Sequence, residues 1–229
     1  MGRDFPIRLP AFAPGMRIGL FGGSFDPPHE GHLMVAQLAL KRLKLDQVWW
    51  IVSPRNPLKS AEPWQSLAAR IENVRRLADH PRFVVTDVEA HIGSRYTADT
   101  LAFLVSRMVG VRLVWVMGAD NMVGFHRWRD WRAIASLVPI AVVDRPESSL
   151  PAVASPAARA LARWRLPEAA AAILPDKTPP AWVLLHGPRI PVSSTQLRAL
   201  LRNQGNLRRL ESVTNQDHSS GVGDNHPRD

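Results

Sequence analysis

RIGLFGGSFDPPHEGHLMVAQLALKRLKL, residues 17–45, is the stretch whose reading decides the fold. Residues 17–23 are mostly apolar and end in Gly22-Gly23, which reads as a short buried strand running into a glycine turn. Residues 32–45 carry apolar side chains at helical spacing, with basic residues toward the end, where they suit the helix dipole. Pro27, Pro28 and Gly31 place His29 before the helix, which is expected to start near His32. Strand, tight turn and helix thus follow one another within thirty residues, and the turn is crowded with two histidines and an aspartate.

The same alternation continues outward. Residues 47–53 read as a strand and 66–80 as a helix. A strand at 82–88 follows Pro81, and a helix at 97–110 is closed by Gly110. Residues 111–118 are the most strand-like stretch of the chain, and further strands are expected at 137–145 and 182–186. Alternating strands and helices predict an α/β fold with a doubly wound, mostly parallel sheet in a three-layer sandwich. Ligands of such sheets sit beyond the carboxyl ends of the strands. Three stretches fall there: GGSFDPPHEGH (22–32), SPRNPLK (53–59) and GADN (118–121). Residues 146–181, rich in Ala and Pro, read as a variable connection with short helices around 156–165. The expected organisation is a loose tail over 1–16, one domain over 17–204, and a polar, glycine-dotted tail over 205–229 that reads as disordered.

A chain of 229 residues, 45% hydrophobic, suits one domain with a real core. No apolar run approaches the ~20 residues of a membrane span, and residues 1–16 lack the apolar core of a secretory signal. With no cysteine, disulfides and thiolate metal sites are excluded. A cytoplasmic protein is expected. The formal net charge is +9, and only Lys41, Lys44, Lys59 and Lys177 are lysine. Arginine favours phosphate groups, so the excess suits an anionic partner; arginine-biased codons would produce the same balance.

Three readings compete for the histidine turn. A zinc-protease helix needs histidines four apart, whereas His29 and His32 are three apart, with no third ligand marked by spacing. No metal held by these side chains is expected. A phosphate cradle fits better: glycines let an anion approach the backbone, and a helix N-terminus with two imidazoles supplies donors. The third reading is a plain turn with capping histidines. Neither G-x-x-x-x-G-K-[ST] nor G-x-G-x-x-G follows the first strand. A second stretch, VSSTQLRALL (192–201), puts Ser193, Ser194 and Thr195 at a helix start and Arg198 one turn in. The hydroxyls are either simple caps or part of a second phosphate cradle.

Together these two stretches resemble the HxGH nucleotidylyltransferases. GGSFDPPHEGH is similar to their G-x-F-D-P-x-H-x-G-H signature, and VSSTQLR to their distal I-S-S-T-x-x-R signature. Within that superfamily the chain resembles the bacterial nicotinate-nucleotide adenylyltransferases. SPRNPLK is similar to their P-x-N-x-x-K loop, RYTADTL to S-Y-T-x-x-T-L, GADNMVGFHRWRDWRAI to their G-x-D segment with a distal tryptophan, and VVDRP to their v-x-x-R-P strand end. The likeness spans roughly residues 17–202.

The resemblance implies a Rossmann-like fold and transfer of the adenylyl group of ATP to nicotinate mononucleotide, giving deamido-NAD and pyrophosphate, with Mg²⁺ held through the phosphates of ATP. It implies that His32 contacts the α-phosphate and His29 holds the phosphates beside it. Arg198, with Ser194 and Thr195, would hold the departing β- and γ-phosphates, and Lys59 would be a further cation. Gly22, Gly23, Ser24 and Phe25 would line the nucleotide floor, and Gly118 and Asp120 the adenosine side. Trp128 would stack on the pyridine ring, Tyr96 and Thr97 would meet the nicotinate carboxylate, and Asn56 and Arg145 would lie toward the mononucleotide phosphate. Thr97 reads equally as an N-cap, and Asp26 reads as structural. The family's patterned closing helix is not matched by NLRRLESVTNQDHSS (206–220). Two alternatives stay open. One is the same fold with nicotinamide mononucleotide or another phosphorylated acceptor. The other is a basic nucleic-acid-binding module, for which FHRWRDWR (125–132) is the one interleaved patch; no nucleic-acid partner is expected on the first reading.

Overall fold

The computed structural model describes residues 7–54, 64–144, 149–188, 194 and 197–199. The chain divides into two units, Met1–Val192 and Ser193–Asp229. In the second, Ser194 and residues 197–199 are helical.

The first unit is built on β1 (Arg17–Gly23), α1 (Glu30–Arg42), β2 (Gln47–Val52), α2 (Leu67–Leu77), β3 (Phe83–Thr86), α3 (Val88–His91), α4 (Thr97–Arg107), β4 (Arg112–Gly118), α5 (Ala119–Gly124), α6 (Trp131–Leu137), β5 (Ile140–Val143), α7 (Ser149–Val153), α8 (Pro156–Ala160), β6 (Arg165–Leu166) and β7 (Trp182–Leu185). Short 3₁₀ turns lie at Phe125–Arg127 and Ala162–Trp164, and a longer one at Glu168–Asp176. Among the described residues seven strands form one sheet in the order β3-β2-β1-β4-β5-β7-β6, and each pairing is parallel. The doubly wound α/β expectation therefore holds, and the sheet is parallel throughout.

Both faces of the sheet are covered, which is why the strands read as continuous apolar runs. Ile18, Leu20, Trp49, Ile51, Trp115 and Met117 face one core with Leu101 and Leu104 of α4 and Met122 of α5. Phe21, Val48, Trp50, Val52, Val114 and Val116 face the other, with Met34 and Val35 of α1 and Val74 of α2. β1 is central, so its carboxyl end has a neighbouring strand end on each side: β2 on one and β4 on the other.

Several boundaries differ from the sequence reading. α1 starts at Glu30 rather than near His32, because His29 caps it. It stops at Arg42, since Lys44 adopts φ +50 and turns Leu43 and Leu45 into the core. β3 ends at Thr86, whose hydroxyl accepts from the Val88 N–H and starts a new turn. β5 begins only at Ile140, because α6 runs through Leu137. The connection after β5 holds more structure than expected, including the edge strand β6. Ahead of β1, Leu9, Phe12 and Met16 pack against the first core, and the Gly15 N–H donates to Gly110 O at 2.8 Å. No helix among the described residues is long and apolar enough to cross a membrane.

Candidate active site

At the carboxyl end of β1 the chain turns through Ser24, Phe25 and Asp26 before α1 begins. Gly22 and Gly23 are required there by close approach. A Cβ at Gly22 would overlap Cη2 of Trp115, and one at Gly23 would lie 2.9 Å from Cζ of Phe25. Phe25 itself takes φ +45, which folds its ring back against Phe21 and Trp50. The backbone floor is therefore thin and stiff, with aromatic rings directly beneath it.

His29 is the N-cap of α1 and His32 is its third residue. The Gly31 N–H donates to Nδ1 of His29 at 3.1 Å, and the His29 N–H donates to Nδ1 of His32 at 3.2 Å. This is a capping box made with imidazoles in place of a hydroxyl and a carboxamide. A neutral ring that accepts at Nδ1 carries its proton on Nε2. Both rings therefore have an Nε2–H donor at the positive end of a thirteen-residue helix. The ring centroids are 3.8 Å apart, and the Phe25 ring stands edge-on to His32 at 5.1 Å. His29 is buried and His32 half-buried.

Asp26 is buried and directed at the backbone: it accepts from the Trp64 N–H at 2.6 Å and the Gln65 N–H at 3.2 Å. Beside it Arg70 is 1% exposed. Burial pulls its guanidinium below the usual value, and the Asp26 charge opposes this. Arg70 donates to the carbonyls of Ser24 and Ser53 at 2.7 Å each, Pro54 at 3.0 Å and Gln65 at 3.2 Å. Sequence reading missed this residue. The available signal was a charge on the apolar stripe of α2, one turn before Val74.

On the other side of β1, β4 ends at Gly118, which is also the N-cap of α5. Asp120 lies exposed in the first turn of α5. Trp128 is half-buried, edge-on to Phe125 at 5.4 Å and to Trp115 at 6.4 Å. Trp115 thus runs from beneath Gly22 to the side of Trp128. Tyr96, not Thr97, is the N-cap of α4; Thr97 is its first helical residue. The Arg129 guanidinium covers the Tyr96 ring at 4.4 Å.

Under this loop lies a second group the sequence reading missed. Glu89 is 5% and Thr100 0% exposed. Burial raises the Glu89 carboxyl above the usual range, against hydrogen bonds from Ser53 and Thr100. Among the described residues no group of three or more His, Asp or Glu side chains could hold a metal ion. Asn56, Lys59, Arg145 and Thr195 lie outside the described residues. Ser194 and Arg198 belong to the second unit.

The cytidylyltransferase-like family model matches residues 20–200. A Caulobacter sp. (strain K31) protein named "Probable nicotinate-nucleotide adenylyltransferase" is 55% identical over 183 residues, covering 80% of this chain and 97% of its own. One of the same name from Bradyrhizobium sp. (strain BTAi1 / ATCC BAA-1182) is 54% identical over 183 residues, covering 80% and 95%. Among solved structures, a Plasmodium falciparum nicotinic acid mononucleotide adenylyltransferase complexed with NaAD superposes with a TM-score of 0.59. It is 16% identical and covers 80% of this chain and 83% of its own, a likeness of fold. The chain belongs to the cytidylyltransferase-like family and, within it, to the nicotinate-nucleotide adenylyltransferases.

Proposed function

We propose that this protein transfers the adenylyl group of ATP to nicotinate mononucleotide. An oxygen of the mononucleotide phosphate attacks the α-phosphorus in line. A new P–O bond forms, the bond from that phosphorus to the bridging oxygen of the β-phosphate breaks, and pyrophosphate leaves. The observation that supports this reading is the imidazole capping box, which places two Nε2–H donors at one helix N-terminus above a glycine floor. Such donors do no covalent chemistry. They favour the transition state because charge on the phosphoryl oxygens meets dipoles already oriented.

In this reading His32 donates to the α-phosphate and His29 steadies the phosphate next to it. Gly22, Gly23, Ser24 and Phe25 form the floor. Gly118 and Asp120 border the adenosine, with Asp120 accepting from ribose hydroxyls. Trp128 stacks on the pyridine ring, and Tyr96 and Thr97 face the carboxylate. For Arg198, Ser194, Thr195, Lys59, Asn56 and Arg145 the support is the sequence motif. Mg²⁺ held through the phosphates of ATP would supply charge neutralisation there. The interleaved patch at 125–132 supports a binding site for one flat ring better than a stacking face for nucleic acid. Phe125 is buried, and Trp128 and Trp131 pack on the core.

The test is pyrophosphate release with ATP, Mg²⁺ and either nicotinate or nicotinamide mononucleotide. Strong turnover with the acid and little with the amide is expected; equal rates would refute the substrate assignment. Arg198→Ala should raise the KM for ATP and lower kcat, and an unchanged ATP response would remove Arg198 from the site. Trp128→Leu should raise the KM for the mononucleotide alone.

A further inference from the structure

The turn after β1 and the loop before α4 carry groups that must meet if two substrates are to react. They are joined beneath the surface by a chain of polar side chains. Arg70 holds the Ser24 carbonyl in the phosphate turn and the Ser53 carbonyl at the end of β2, each at 2.7 Å. The Ser53 N–H donates to Gly23 O at 2.9 Å, and its hydroxyl bonds the Glu89 carboxyl. Thr100 Oγ1 lies 3.3 Å from Glu89 Oε1 and 3.0 Å from Ser94 Oγ. Ser94 in turn donates through Oγ to Tyr96 O at 3.0 Å, accepts from the Tyr96 N–H at 3.3 Å, and donates its own N–H to Glu89 O at 3.0 Å. The chain starts beside the turn after β1 and ends on Tyr96, the N-cap of α4, the helix proposed above to meet the mononucleotide.

We infer that the buried chain Arg70–Ser53–Glu89–Thr100–Ser94 sets the distance between the two substrate subsites, with Glu89 as the positioning residue at its centre. The inference rests on the placement of the two subsites given above. Burying a carboxyl group, a guanidinium and hydroxyls costs free energy that apolar side chains of the same volume would not. What the polar chain adds is direction: each hydrogen bond fixes one loop against the next, whereas apolar contacts tolerate sliding. In-line transfer is sensitive to that kind of error, since a misplacement of about 1 Å can cost about a hundredfold in rate. Glu89 touches neither substrate in this scheme. It acts through Ser53 toward the phosphates and through Thr100 and Ser94 toward Tyr96. A carboxamide at position 89 keeps the side-chain length and a carbonyl oxygen that can accept from the Ser53 or Thr100 hydroxyl, whereas alanine keeps neither.

The experiment compares Ser53→Ala, Thr100→Val, their double variant, Glu89→Gln and Glu89→Ala in the full chain, measuring kcat, both KM values and melting temperature. Ser53→Ala and Thr100→Val change side-chain volume little, and the melting temperature checks that each variant keeps its fold. Each should lower kcat about tenfold with both KM values held within about twofold, the size expected for one buried hydrogen bond. The double variant should be no worse than the weaker single, because both cut the same link at Glu89. Glu89→Gln should retain kcat within about threefold, while Glu89→Ala should match the cut chain. Unchanged kcat in both single variants, multiplying effects in the double, or equal damage from Gln and Ala at position 89 would each overturn the inference. His32→Ala is the control. If it keeps its kcat, the site assignment falls and this inference with it. If it loses kcat while Ser53→Ala and Thr100→Val are unimpaired, the inference alone falls.

Discussion

Nδ1 of His32 accepts the backbone N–H of His29 at 3.2 Å, so the imidazole assigned to the α-phosphate is also a helix cap. The cap and the proposed phosphate contact therefore fall on one ring, and a single alanine substitution removes both. A glutamine at the third helical position can still reach the N-cap N–H. His32→Gln should melt close to the wild type, and His32→Ala lower by a few degrees for the loss of about 1 kcal/mol of cap. Both should lose kcat by about 10²–10³-fold, the effect of removing one preorganised donor. Calorimetry and pyrophosphate release together check this; an active His32→Gln would place His32 outside the chemistry.

Gly22 has no room for a methyl group. Its Cβ would overlap the Trp115 ring, which is 2% exposed and held between strands. Gly22→Ala should cost about 1–3 kcal/mol by overpacking. Adding Trp115→Phe should return part of it, since the smaller ring withdraws the clashing atoms. Urea unfolding of the two variants decides the matter, and an additive double variant would show the clash is relieved elsewhere.

Glu89 makes stability depend on pH in an unusual direction for a carboxyl group. Burial raises its folded value above the unfolded one, so the folded state binds the proton more tightly. Its contribution is complete below the unfolded value of about 4.3 and is lost as pH rises through the raised folded value. Glu89→Gln has no such loss. The wild type should therefore fall in stability relative to Glu89→Gln across that window and run parallel above it. Urea midpoints of both proteins against pH test this, and a gap independent of pH would refute it.

Glu168 should behave in the opposite sense. Burial alone would raise its carboxyl, but hydrogen bonds from the His186 ring and N–H and the charge of Arg42 outweigh this and hold it below the usual range. Its contribution is present above the unfolded value and is lost as pH falls through the lower folded value. The advantage of the wild type over Glu168→Gln should be lost as pH falls through the lowered folded value of Glu168. Denaturation at a series of acid pH values checks the direction.

The fold was legible because its signals are local. An apolar run ending in Gly22-Gly23 and an apolar run of helical period from α1 onward each report on a few consecutive residues, and their alternation predicts a parallel sheet. Where short-range chemistry was ambiguous the reading slipped. Capping by the histidines was one of three open readings, and the helix was expected to start near His32 rather than at Glu30. β6 is two residues long and is a strand only because β7 lies beside it.

The histidine pair, Gly22, Gly23, Gly118 and Trp128 could be named from the chain because each sits in a contiguous motif. Arg70, Ser53, Glu89 and Thr100 could not be joined from it. Ser24 is 46 residues from Arg70, and Ser53 is 17 from it. A charge on an apolar helix stripe marks Arg70 as unusual without saying what it holds. The amino-acid order determined which strands and turns form and which donors stand at the first helix. Tertiary packing alone decided which carbonyls a buried guanidinium reaches and which hydroxyls meet a buried carboxyl group. Hydrogen bonds form between atoms about 3 Å apart, and distance along a chain does not encode distance in space.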